Sequence, residues 1–159
     1  MRFTGITATV FGGPSDAMSG SQTAYQSPGD WWNRAGVALP ARINTRPLPK
    51  VIVSHNGRSV VCDVVDVGPW NDSPGDPYWE TGTRPKAEQG LRDDHGRIPT
   101  NKAGIDLTPA AAAAIGLAGK GLVDWDFVDA TAQLPPPQPQ TGQTMPPEQA
   151  TPYNASLED

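Results

Sequence analysis

Cysteine is almost missing from this 159-residue chain: Cys62 stands alone, so no intrachain disulfide can form and the fold must rest on packing and hydrogen bonds. Apolar residues make up only 36% of the chain, and no apolar run approaches the roughly 20 residues that a membrane-spanning helix requires. Clusters of Lys and Arg are also missing. With 12 basic against 17 acidic residues the formal charge is −5, which excludes a surface built for phosphate backbones and suits a neutral or cationic partner. Neither His55 nor His95 has a partner at metal-ligand spacing, and a zinc site needs several ligands, so no metal is expected. No phosphate loop, dinucleotide fingerprint or Ser-His-Asp order is present, and no cofactor is expected. The opening MRFTGITATVFGG does not read as a secretory signal, because no charged region precedes an apolar one.

Turn formers are abundant instead. Seventeen Gly and 18 Pro favour short strands and loops over long helices, and the length suits one domain. Seven of the prolines fall within residues 130–159, with Gln133, Gln138, Gln140, Gln143 and Gln149 between them. The chain therefore divides into a domain, 1–129, and a Pro/Gln-rich tail or linker, 130–159. Such a tail has too few apolar side chains to offset its ordering entropy, and is expected either to be disordered or to order on a partner.

Strands are expected at 5–11, 50–55, 58–67 and 121–128, each bounded by turn residues. Asn56-Gly57 between the second and third marks a hairpin, since both residues tolerate positive φ. The run from Val60 to Val65 is apolar on both faces apart from Asp63, as in a strand enclosed within a barrel, and Cys62 belongs to its core. In the last strand Val123, Trp125 and Phe127 share the core face. A short helix is expected over 109–115, with Thr108 as N-cap, Pro109 in the first turn and Gly116 as the stop. Residues 68–104 form a long excursion whose first half holds Trp70, Tyr78 and Trp79, and whose second half, around Arg92 to Gly96, is expected to be mobile.

Three segments carry a family likeness: GITATVFGG at 5–13, NGRSVVCDVVDVGPW at 56–70, and AGIDLTPAAAAAIG at 103–116 followed by GKGLVDWDFV. In this order they resemble the double-psi β-barrel shared by expansins, rare-lipoprotein-A proteins and some lytic transglycosylases. GVALPARI at 36–43 is similar to a short connection in the same barrels. The resemblance implies an all-β fold with one short helix: a six-stranded double-psi β-barrel with a long loop insertion. The chain departs from the pattern by lacking a groove histidine and a second carbohydrate-binding domain, and by the long loop after Trp70.

The resemblance implies Asp106 as catalytic acid/base, Thr9 as a groove residue, and Asp66 facing Asp106 across the groove. Asp106 lies between Ile105 and Leu107, so on a strand its carboxylate points away from two buried aliphatics; apolar walls raise a carboxyl pKa, and a nearby second carboxylate splits the pair. Two plainer readings stay open: Asp106 caps the turn into the helix, and Asp66 makes an Asx-type bond to the following backbone. Tyr25, Trp31, Trp32, Trp70, Tyr78 and Trp79 are loop aromatics, expected at the surface as platforms for sugar rings, with Asn71, Asp72 and Arg34 to meet hydroxyls. About half of them would pack the long loop instead.

The expected partner is peptidoglycan or a related polysaccharide, with no nucleic acid and no membrane insertion. Three functions remain: lytic transglycosylase-like cleavage, binding or wall loosening without cleavage as in expansins, or a structural part in a phage or phage-like particle. The tail would then meet a virion or envelope protein, and the setting is a cell envelope or phage particle. Fold likeness does not choose among them.

Overall fold

Asn56 and Gly57 both adopt positive φ, 50° and 81°, and fold β3 (Lys50–His55) onto β4 (Arg58–Val67) as the antiparallel hairpin expected from the sequence. The computed structural model describes residues 1–13, 20–69 and 75–128. The other strands are β1 (Phe3–Val10), β2 (Gly36–Leu39), β5 (Ile105–Leu107) and β6 (Lys120–Val128). They close into a six-stranded barrel in the order β1-β5-β2-β4-β3-β6. Two of the pairs, β1 with β5 and β2 with β4, are parallel; all others are antiparallel. The tail from 130 onward, Trp70, Asn71 and Asp72 lie outside the described residues.

Alternation decides what each strand buries. Ile105 and Leu107 on β5, Val51 and Val53 on β3, and Val123 and Trp125 on β6 fill the interior. Each such aliphatic contributes about 1.5–3 kcal/mol on burial. Cys62 is buried among them, and burial, with Asp63 adding to it, pushes its thiol up to about 12, so it behaves as a small apolar residue. On the outer face of β6, Asp124 accepts the Gly5 N–H at 2.9 Å and Asp126 pairs with Arg2.

The segment at 36–43, read from sequence as a connection, instead contains β2. Its four residues are all buried because the outer face is covered as well as the inner one, by Val65 and Thr108 over Gly36 and by Gly68 over Ala38, so it shows no polar alternation. Between Val37 and Ala38 the register with β4 shifts by one residue, leaving Val65 as the extra residue of a bulge. Helix α2 (Pro109–Ile115) follows β5 as expected. The Thr108 hydroxyl accepts the N–H groups of Ala111 and Gly36 at 3.3 and 3.0 Å and donates to the Arg34 carbonyl at 2.7 Å, tying helix, β2 and the preceding turn together.

The long excursion is fastened to the barrel, and one expectation about it is corrected. Tyr78, in the single helical turn α1 (Tyr78–Thr81), is 1% exposed: its hydroxyl donates to the Gly104 carbonyl at 3.0 Å and accepts the Trp125 indole N–H at 2.9 Å. A loop aromatic whose hydroxyl can be satisfied inside is drawn into the core. The second half is a bonded turn. Asp93 accepts the N–H groups of His95 and Arg97 and the Arg97 guanidinium, all within 2.9 Å, and Asp94 accepts the Gly75 N–H at 2.6 Å. Gly104 marks where this belt crosses the barrel, for a Cβ there would stand 2.4 Å from the Pro85 ring.

Candidate functional site

Strand register aligns four residues across four adjacent strands. Thr9 of β1 lies beside Asp106 of β5, Asp106 beside Ala38 of β2, and Ala38 beside Asp66 of β4. Ile105 and Leu107 turn inward, so Asp106 faces outward, and side chains opposite one another in a ladder share a face. The two aspartates thus do not adjoin. They flank Ala38, two strand spacings or about 9.5 Å apart at Cα.

The Thr9 hydroxyl donates a hydrogen bond to Asp106 Oδ1. On the other side, a Cβ added at Gly68 would lie 3.7 Å from Asp106 Oδ2 and 3.8 Å from the Ala38 methyl group. Glycine and alanine therefore keep bulk away from the carboxylate. The turn into α2 is capped by Thr108, so that duty does not fall to Asp106.

Asp66 is held differently. Its Oδ1 accepts the N–H groups of Ala24 at 2.9 Å and of Val67 at 2.8 Å. The Val65 carbonyl, exposed by the bulge, accepts the Thr23 hydroxyl. Residues 23–24 are thereby strapped across the bulge, and the bond to Val67 matches the plainer reading of Asp66, joined by a second bond across the chain.

The aromatic residues separate by environment. Trp31, expected at the surface, is 2% exposed: the 3-10 turn Trp31–Asn33 tucks it beneath the strap, where its indole N–H donates to the Ser21 carbonyl at 2.8 Å and its ring stacks on Phe11. The Tyr25 ring is approached by the guanidiniums of Arg42 and Arg46, at 5.8 and 5.7 Å from its centroid, and its hydroxyl accepts the Ile43 N–H, so it braces the loop after β2. Arg34 bonds to Gln26 at 3.4 Å. Trp32 is half-buried. Trp70, Asn71 and Asp72 lie outside the described residues.

Among the described residues, Trp79 lines an open cleft. Half-buried, it packs edge-on against Tyr78, Trp125 and Phe127. The cleft, about 550 Å³, is lined by Ile43, Pro49, Trp79 and Phe127 with Arg42, Asn44, Thr45 and Glu80. None of Thr9, Asp66 or Asp106 belongs to it. Sequence reasoning missed this place: Phe127 reads as core from its strand period, and residues 42–49 carry no period at all. Among the described residues no three His, Cys, Asp or Glu side chains cluster as metal ligands, and no helix is long and apolar enough to cross a membrane.

These features define a closed six-stranded β-barrel with an outward Thr-Asp-Ala-Asp row and a separate aromatic cleft. The chain belongs to the family described as Domain of unknown function (DUF8814), which matches residues 8–128. No curated protein matches it. Among solved structures it is similar to Streptomyces papain inhibitor (SPI), with 23% identity, coverage of 79% of this chain and 93% of that one, and a TM-score of 0.46.

Proposed function

We propose that the chain is a double-psi β-barrel that binds and cleaves a polysaccharide, peptidoglycan in the first place, with Asp106 as acid/base and Thr9 as its hydroxyl partner. The observation that carries this reading is the Thr9–Asp106 hydrogen bond on the outer face, beside the small residues Ala38 and Gly68. The pairing supports the barrel type: two parallel pairs, β1–β5 and β2–β4, meet through antiparallel β5–β2, as two interlocked psi loops require.

One carboxyl group suffices for the lytic transglycosylase step. The protonated carboxyl gives its proton to the glycosidic oxygen as that bond breaks. The resulting carboxylate takes a proton from the sugar's own hydroxyl as its oxygen closes on the anomeric carbon, leaving an anhydro end and consuming no water. Asp66 then acts as a positioning residue, because its bonded oxygen anchors the strap at residues 23–24.

A second reading is a module that grips glycan without cleaving it, in which Asp66 serves only to anchor the strap at residues 23–24. Incubating purified sacculi with the wild-type chain and with Asp106→Ala separates the two. Anhydro-ended muropeptides in the supernatant from wild type alone support cleavage; co-sedimentation of both proteins without release supports the gripping module. If neither release nor co-sedimentation occurs, a structural role in a particle takes their place.

A further inference from the structure

The aromatic cleft lies where the chain leaves the barrel. Phe127 lines it, and Val128 is the last residue described before the Pro/Gln-rich segment. We propose that this cleft receives the chain's own proline-rich stretch, Pro135 to Pro137 with Gln138, as an intramolecular dock.

Polyproline segments bind grooves lined by aromatic rings, since their rigid extended form loses little entropy on docking. Trp79 and Phe127, with Ile43 and Pro49, supply such a lining. Proline offers carbonyl acceptors and no N–H donors, so a matching cleft must donate. Arg42, Asn44 and Thr45 bring donors to the lining, and the Trp79 indole N–H makes no hydrogen bond among the described residues. Charge also agrees: Arg42 and Glu80 balance one another in the cleft, and residues 130–147 contain no charged side chain.

Reach is ample. The seven residues from Val128 to Pro135 span up to about 23 Å, enough to turn back over a lip formed by the adjacent Phe127, and three prolines rise about 9 Å in the polyproline conformation. A short tether holds the stretch at an effective concentration of order millimolar, so a contact of only millimolar affinity in trans is about half occupied in cis. This dock does not depend on the glycan reading, because none of its residues belongs to the Asp106 row.

The test is solution NMR on the full chain. A spin label is placed at Gln140→Cys, just beyond the docked stretch; the buried thiol of Cys62, pushed up to about 12, does not compete for it. Docking predicts that the Trp79 indole signal and the Asn44 and Thr45 amides lose more than half their intensity while the Asn56 amide, at the far end of β3, does not. It further predicts that Pro135→Ser, Pro136→Ser and Pro137→Ser together restore them and shift the Trp79 indole. Uniform weak broadening, an unchanged spectrum in the triple variant, or broadening seen only between a labelled molecule and an unlabelled one would each overturn the proposal.

Discussion

Removing the Thr9 hydroxyl deprives Asp106 Oδ1 of a hydrogen-bond donor while leaving the strand pairing of β1 and β5 in place. On the proposed cleavage, Thr9→Val is therefore expected to slow glycan release by about tenfold, the loss of one hydrogen bond of about 1.5 kcal/mol to a charged group, with little change in unfolding midpoint. Thr9→Ser is expected to recover most of the rate. Equal rates for Thr9→Val and wild type would remove Thr9 from the chemistry. Tyr78 tests the core in the same way. Tyr78→Phe leaves the Gly104 carbonyl and the Trp125 indole N–H buried without their partner, and is expected to cost about 2–4 kcal/mol by urea unfolding. Single residues were unevenly legible. Asp106 could be placed on an outer face from its flanking aliphatics alone, whereas Trp31 and Tyr78 carry a polar atom whose interior partners, Ser21 and Gly104, are invisible until the chain is folded.

Elements with strong local codes were readable: the Asn56-Gly57 hairpin and the helix after Thr108 follow from turn and cap chemistry that acts within a few residues. Strand β2 was not. Covered on its outer face by Val65, Thr108 and Gly68, it has no alternation, and it has no hairpin signal; only its pairing with β4 and β5 makes it a strand. The Val65 bulge is equally silent in sequence, although it determines that Ala38 pairs with Asp66. Thr108 joins these elements, so Thr108→Val is expected to cost about 2–4 kcal/mol: roughly 1 kcal/mol for the cap and the remainder for the buried Gly36 N–H. A loss below 0.5 kcal/mol in urea unfolding would show that the cap does not hold β2 against α2.

For the whole molecule, acid stability depends on two carboxylates with opposite signs. Burial pushes Asp93 up, but the Arg97 side-chain and backbone bonds and the His95 N–H outweigh it and hold it below the usual carboxylate range. Its contribution is present above the unfolded value, about 3.9, and disappears as pH falls through the lower folded value. Burial raises Asp76 despite the Lys86 N–H, so its stabilising share is present below the unfolded value and is lost as pH rises through the raised one. In urea midpoints followed from about pH 2 to 7, Asp93→Asn is expected to flatten the acid-side decline. Asp76→Asn is expected to remove an opposing fall above it; unchanged profiles in both variants would contradict these assignments.

Barrel closure brings strands distant in sequence into one row, and the functional reading rests on that row. The decisive measurement is the rate of anhydro-muropeptide release from purified sacculi by wild type and by Asp106→Asn, with unfolding midpoints recorded for both. Because the substitution keeps the shape of the side chain and removes its acid/base capacity, release is expected to fall by about 10²–10⁴-fold at unchanged stability. Release from Asp106→Asn at the wild-type rate, or none from the folded wild-type chain, would contradict an Asp106-centred glycan cleavage.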